Sequence, residues 1–412
     1  MTRVGAGAHA HPPRPRLRSV FACALDATVG ALHQRVDGAG AVTFCRLPGW
    51  VMDRVTDPQL AATVSMPAGV RIELVTDAPS IVLDVRLTRV QAGDARARPA
   101  VFDVVIDGDR VRRVESTVGT LLRVDRHTGV AEVVPGGPTT VRIAGLPSRP
   151  GTRVEIWLPR NAVVSLGDVR IPDGCDARPA ARRRAVWVHH GSSISHCIEA
   201  SRPTRAWPVT VARRAGVSLV DLGFAGQCQL DQFTARAIRD VEVDAVSLEL
   251  GVNVVNRDTM RERAFVPALH GFLDTIRDGH STAPLVVTTP IHCPPVETTP
   301  GPTVIGADGT ARSVPRPPAL AQGALTVDRV RALIAEVVEM RRAAGDTALH
   351  LVDGRTLLGA SDAARLTDGV HPDAAGYRLV GDRFHRLVFG PDGPFAHLAA
   401  TPNILTNGQE VG

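Results

Sequence analysis

Val186-Trp187-Val188-His189-His190-Gly191-Ser192-Ser193-Ile194-Ser195 is the stretch on which the fold turns. Its apolar start, Val186-Trp187-Val188, has the character of a buried strand, and Gly191-Ser192-Ser193-Ile194-Ser195 then offers a hydroxyl just past the strand end. Four further short apolar runs follow at 217–222, 245–250, 285–289 and 349–352. Between them lie stretches with helical periodicity at 208–215, 230–240, 261–278 and 325–344. Strands that alternate with helices predict a parallel sheet with helices on both faces. In such a sheet, ligand-binding side chains gather beyond the carboxyl ends of the strands.

Upstream the pattern is different. From about Phe21 to Asp173, runs such as Val70-Arg71-Ile72-Glu73-Leu74 and Ile81-Val82-Leu83-Asp84-Val85-Arg86-Leu87 alternate with period two between proline and glycine. The run 101–106 leads into Asp107-Gly108, a hairpin signal, and Arg153-Val154-Glu155-Ile156-Trp157-Leu158 alternates again before Pro159. This half reads as an all-β, jelly-roll-like sandwich. The expected organisation is a disordered basic N-terminus (1–18), a sandwich domain with a candidate role in substrate recognition (19–175), a linker containing Arg182-Arg183-Arg184 (176–184), an α/β domain (185–392) and a C-terminal tail (393–412). The stretch 291–322, rich in proline, threonine and glycine, is too long for a plain connection and reads as a substrate-covering loop or a surface excursion.

Composition bounds the function. With 412 residues and 44% hydrophobic content the chain can bury the cores of two domains. The net charge of +5 is carried without lysine, and Tyr377 is the only tyrosine, so nothing resembles a basic face interleaved with stacking aromatics, and nucleic-acid binding is not expected. Cys23, Cys45, Cys175, Cys197, Cys228 and Cys293 form no disulfide framework. No stretch approaches the roughly 20 apolar residues of a membrane span, and the start of the chain lacks the apolar core of a signal peptide. The expectation is a soluble cytoplasmic protein that acts away from membranes.

Four segments place reactive groups on one rim: Ser193 after the first predicted strand, Gly226 after the second, Asn253 after the third, and Asp368 with His371 after the fifth. A serine hydroxyl needs a base, and an imidazole supplies one near neutrality. Asp368, three residues before His371 in a turn that Pro372 helps to fix, suits the carboxylate that holds the ring's tautomer. The backbone N–H groups of Ser193 and Gly226 and the amide of Asn253 suit an oxyanion hole. The elbow of α/β-hydrolases, Gly-X-Ser-X-Gly, does not fit, because Ser195 occupies its last position. His189, His190, His196, Cys197, His292 and Cys293 lack compact ligand spacing, so neither a metal nor another cofactor is expected.

In order, Gly191-Ser192-Ser193-Ile194-Ser195, Gly223-Phe224-Ala225-Gly226, Gly251-Val252-Asn253 and Asp368-Gly369-Val370-His371-Pro372 resemble the four blocks of the SGNH, or GDSL, hydrolase superfamily. The resemblance spans about 184–390 and implies a flavodoxin-like three-layer α/β/α domain with metal-independent ester hydrolase or acyltransferase activity. Two positions depart from the pattern. Ser192 stands where an aspartate is usual, and Val254 where an acidic residue is usual. The order of domains is similar to that of bacterial two-domain members, some of which deacylate carbohydrates and one of which transfers salicylyl groups in tetracycline biosynthesis.

The resulting expectation is a lipase-like serine esterase that cleaves a small-molecule or carbohydrate acyl ester through an acyl-Ser193 intermediate. Transfer of the acyl group to an alcohol of a secondary metabolite is the alternative. An inactive carbohydrate-binding or scaffolding protein is a third reading, and the full Ser193, Asp368 and His371 set weighs against it.

Overall fold

Alternation of buried and outward-facing residues builds the N-terminal half. In the strand Thr139–Ala144, Val141 and Ile143 point inward while their neighbours face out, and in Thr152–Trp157 Val154 and Ile156 do the same. The computed structural model describes residues 16–92, 96–124, 131–180 and 184–399. Two sheets, of eight and six strands, enclose a core that includes Phe44, Ile72, Leu83, Phe102 and Ile156. The longest strand, Ser80–Ala92, pairs along one edge with Ala162–Pro172, whose register shifts between Leu166 and Asp168. Three short helices, Phe21–Asp26, Gly49–Met52 and Pro58–Val64, also belong to this half.

The second half is an α/β/α unit. Its strands are β1 (Val186–Gly191), β2 (Ser218–Gly223), β3 (Ala245–Glu249), β4 (Leu285–Thr288) and β5 (Leu349–Val352). They form one parallel sheet in the order β2-β1-β3-β4-β5, the flavodoxin-like order, which reverses direction at β1 and β3. Every residue of β3 and β4 is buried, as expected of strands covered on both faces. The sequence placed four of these strands to within one residue at their ends and the first, expected at 186–188, three residues short, and the helices Trp207–Ala215, Gln232–Arg239, Glu262–Gly279 and Val327–Ala343 fall on the stretches expected of them.

Three expected boundaries need correction. Leu17–Ser19, partly within the stretch expected to be disordered, is a strand paired with Ala162–Pro172; residues 1–15 lie outside the described residues. Ala177–Pro179, inside the expected linker, extends the six-stranded sheet by pairing with Arg71–Thr76. Arg182 and Arg183 lie outside the described residues. In the expected tail, Phe395 is fully buried against Phe389, because an aromatic ring there completes the cluster around Trp187. Residues 400–412 are outside the described set. The stretch 291–322 is built rather than featureless: Thr303–Ile305 and Ala311–Ser313 pair as a hairpin, and Val296 is buried beneath it.

The halves share their cores. Val105 and Trp157 of the sandwich pack in one cluster with Trp187, Ile194 and Trp207 of the α/β unit, and Leu47, Val51 and Leu60 join another with Val220, Leu222 and Phe224. The Arg46 guanidinium is fully buried at this junction. It donates to the carbonyls of Thr63 and Met66 on its own side and of Asp221 and Gly223 at the end of β2.

Candidate active site

Ser193 sits at the carboxyl end of β1 because two glycines let the chain turn tightly there. A β-carbon on Gly191 would lie 2.3 Å from the Ser195 hydroxyl, and one on Gly223, the neighbouring end of β2, would lie 2.4 Å from the His196 nitrogen. Ser192 caps the one-turn helix Ser193–His196 by accepting the Ile194 N–H at 3.1 Å. Cys197, in the left-handed region at φ 54°, ends that turn. The nucleophile candidate is thus the first residue of a capped turn at the sheet's switch point.

His371 reaches it from 178 residues away in sequence. Its Nε2 lies 2.9 Å from Ser193 Oγ, and its Nδ1 lies 2.7 Å from Asp368 Oδ2. The other Asp368 oxygen accepts the N–H groups of Val370 and His371 at 2.9 and 2.7 Å, which closes the Asp-Gly turn around the carboxylate. Burial opposes the charge on both groups, yet the pair settles it. Asp368 is held down to about 2 by His371 and the two N–H donors, and His371 is raised to about 9 by the carboxylates of Glu199 and Asp368.

Gly226 and Asn253 flank the same rim. Asn253 is buried near the start of the helix Val252–Arg257, and its Oδ1 accepts the Cys228 N–H at 3.0 Å. With the oxygen engaged, the amide NH₂ is the end left to donate. Gly226 lies in the turn after β2 at φ 70°, under the side chains of Gln59 and Arg257. Three nearby histidines are bonded within the fold: His189 to Ser247 and Ser195, His190 to the Leu222 carbonyl, and His196 to the Arg160 carbonyl. Burial pushes His189 down to about 3 and His190 to about 4, so both are neutral.

Residues 190–379 match the model of the GDSL-like Lipase/Acylhydrolase family. The match spans under half of the chain, and this segment is similar to GDSL-like domains. Among solved structures, a salicylyl-acyltransferase from a tetracycline biosynthetic pathway superposes with a TM-score of 0.74 at 24% identity, covering 90% of this chain and 96% of that one. A GDSL-like lipase from Bacteroides ovatus superposes at 0.60 with 19% identity, covering 90% and 96%. A family two carbohydrate esterase from Clostridium thermocellum superposes at 0.52 with 14% identity, covering 84% and 97%. At these identities the likeness is one of fold, and it extends over both halves of the chain. No curated protein matches the sequence.

Three side chains that sequence reasoning passed over surround the GDSL-like site. Glu199, six residues past Ser193, accepts the Tyr377 hydroxyl at 3.0 Å and acts electrostatically on His371. Arg160, from the sandwich, donates to the carbonyls of Cys197 and Ile198 and so braces the loop behind the Ser193 turn. Glu249, the last residue of β3, accepts the Ser192 N–H and hydroxyl at 2.8 and 2.6 Å. The lone charged residue at the end of a strand that otherwise holds only Ala245, Val246, Ser247 and Leu248 was the one available signal for Glu249. No sequence signal marked Arg160, whose contacts exist only across the domain junction.

Proposed function

We propose that the protein is a serine acyl hydrolase that cleaves an acyl ester of a small molecule or carbohydrate through a covalent acyl-Ser193 intermediate. The carrying observation is the relay from Ser193 Oγ to His371 Nε2 and from Nδ1 to Asp368, at 2.9 and 2.7 Å. Ser193 Oγ attacks the ester carbonyl while His371 takes its proton at Nε2. The N–H groups of Ser193 and Gly226 and the Asn253 amide receive the oxyanion, each donor being worth about 3 kcal/mol of barrier. Collapse expels the alcohol, protonated by His371, and leaves the acyl-serine. His371 then takes a proton from a water that attacks the acyl carbon, and as the second intermediate collapses it returns that proton from Nε2 to Ser193 Oγ, which releases the acid and restores the serine. Asp368 stays ionised throughout, holding the ring and stabilising the imidazolium.

A fluorophosphonate should modify Ser193, and Ser193→Ala should remove turnover of short acyl esters. Unchanged turnover in the variant rejects the assignment, and an unlabelled wild-type protein favours the inactive scaffold. Transfer to an acceptor alcohol is the second reading, favoured by the likeness over both halves to the salicylyl-acyltransferase. An acyl donor mixed with a panel of alcohols then yields acylated alcohol in competition with free acid; free acid alone supports hydrolysis.

A further inference from the structure

Behind the nucleophile turn runs a buried chain of hydrogen bonds with a fixed direction. It begins at Trp187, whose indole N–H can only donate and lies 2.8 Å from Ser247 Oγ. Ser247 can then pass its own proton to His189 Nδ1 at 2.7 Å. A neutral His189 carries its remaining proton on Nε2, 2.7 Å from Ser195 Oγ, and Ser195 in turn donates to Glu249 Oε2 at 3.3 Å. The Ser192 N–H and hydroxyl end on that same oxygen, while the Ser192 oxygen accepts Ile194 N–H. All six of these side chains are buried, and every donor in the chain has one acceptor. A carboxylate oxygen is the acceptor on which three donors can converge.

We propose that Glu249 is the positioning residue of the Ser193 turn, a role that rests on Ser193 being the nucleophile. It fixes the Ser192 hydroxyl, and through that cap it sets the direction of Ser193 Oγ and of the Ser193 N–H. Glu249 also ends the strand that leads through Gly251 to Asn253, so the same side chain sets the spacing between the two sides of the oxyanion pocket. Nothing in this role requires Glu249 to touch substrate.

The test measures the rate of fluorophosphonate labelling of Ser193, together with kcat and KM on a short acyl ester, for wild type, Glu249→Leu and Glu249→Gln. Leucine removes every acceptor, and labelling and kcat are expected to fall by about 100-fold with KM little changed, the usual cost of a misplaced reacting group. Glutamine keeps one oxygen for the Ser192 donors and should recover most of that loss. Labelling of a folded leucine variant at the wild-type rate overturns the proposal, as does a glutamine variant no better than leucine. If the leucine variant does not fold, Ser192→Ala decides: it removes the cap but keeps the Ser192 N–H bond, and a wild-type labelling rate overturns the proposal. A wild-type protein that does not label at Ser193 removes the nucleophile itself, an outcome distinct from the others.

Discussion

His371 experiences two carboxylates, and together they set its working pH. Because burial is outweighed by Glu199 and Asp368, the imidazole holds its proton up to about pH 9 in the unliganded protein, whereas a base must be free of it. We expect kcat/KM to rise with pH through a midpoint near 9 and to level off only above it. Glu199→Gln should move that midpoint down by a measurable fraction of a unit while leaving the Asp368 bond in place; an unmoved pH–rate profile contradicts this. The same shift affects stability. Between an ordinary histidine value near 6.5 and about 9, the folded state binds the proton and the unfolded state does not. His371 therefore contributes stability that is complete below 6.5 and lost as pH rises through 9. Urea melts of His371→Ala should show a flatter dependence of stability on pH between 7 and 9 than wild type.

At the scale of elements, the hairpin within 291–322 acts on the site from outside. The Ala311 N–H donates to the Asp368 carbonyl at 2.8 Å, and Pro295 lies within 3.6 Å of where a β-carbon on Gly369 would stand. This excursion backs the Asp368-Gly369-Val370-His371 turn, whose ends are also joined by a bridge between Leu366 and Pro372. Ala311→Pro removes the N–H and should cost about 1 kcal/mol of stability, with a loss in kcat larger than the change in KM because the carboxylate and its histidine shift together. The helix that follows, Ala374–Phe384, is capped by Asp373, which accepts the Gly376 N–H at 2.6 Å. Asp373→Ala should cost about 1 kcal/mol in thermal or chemical melts. Of these elements only the start of the helix is legible in the sequence, where Asp373 after Pro372 suits an N-cap. The hairpin was not, because its strands are three residues each and their pairing depends on Val296 and the Asp368 turn beneath them.

At the scale of the whole molecule, the sandwich is structurally built into the α/β half. Arg46 is buried with its four donated bonds divided between the two halves, and burial drives its pKa down to about 10. Arg46→Met leaves carbonyls at the end of β2 without a donor and should destabilise the protein by about 3 kcal/mol or more, a drop that thermal melting will register. Removing residues 1–173 would also strip Arg160 from behind Cys197 and Ile198 and uncover Trp187's cluster. We expect that fragment to lose cooperative unfolding and ester turnover together; a fragment that melts cooperatively and keeps full turnover shows the halves to be independent. Among the described residues, no helix is long and apolar enough to cross a membrane.

The sequence by itself determined the order and type of the five sheet strands and of the four helices between them in the α/β half, because period and apolar run length are local properties that each segment carries. It also marked Ser193, Asn253, Asp368 and His371, because reactive groups just past strand ends stand out against the apolar strands before them. Only the tertiary structure decided that Glu249 closes on Ser192, that Glu199 acts on His371 and that Arg46 and Arg160 reach across the junction. Each of those links joins segments far apart in the chain, and the free energy that makes them is burial: a carboxylate or guanidinium acquires its partners when folding removes water from around it, which no single stretch of residues can encode.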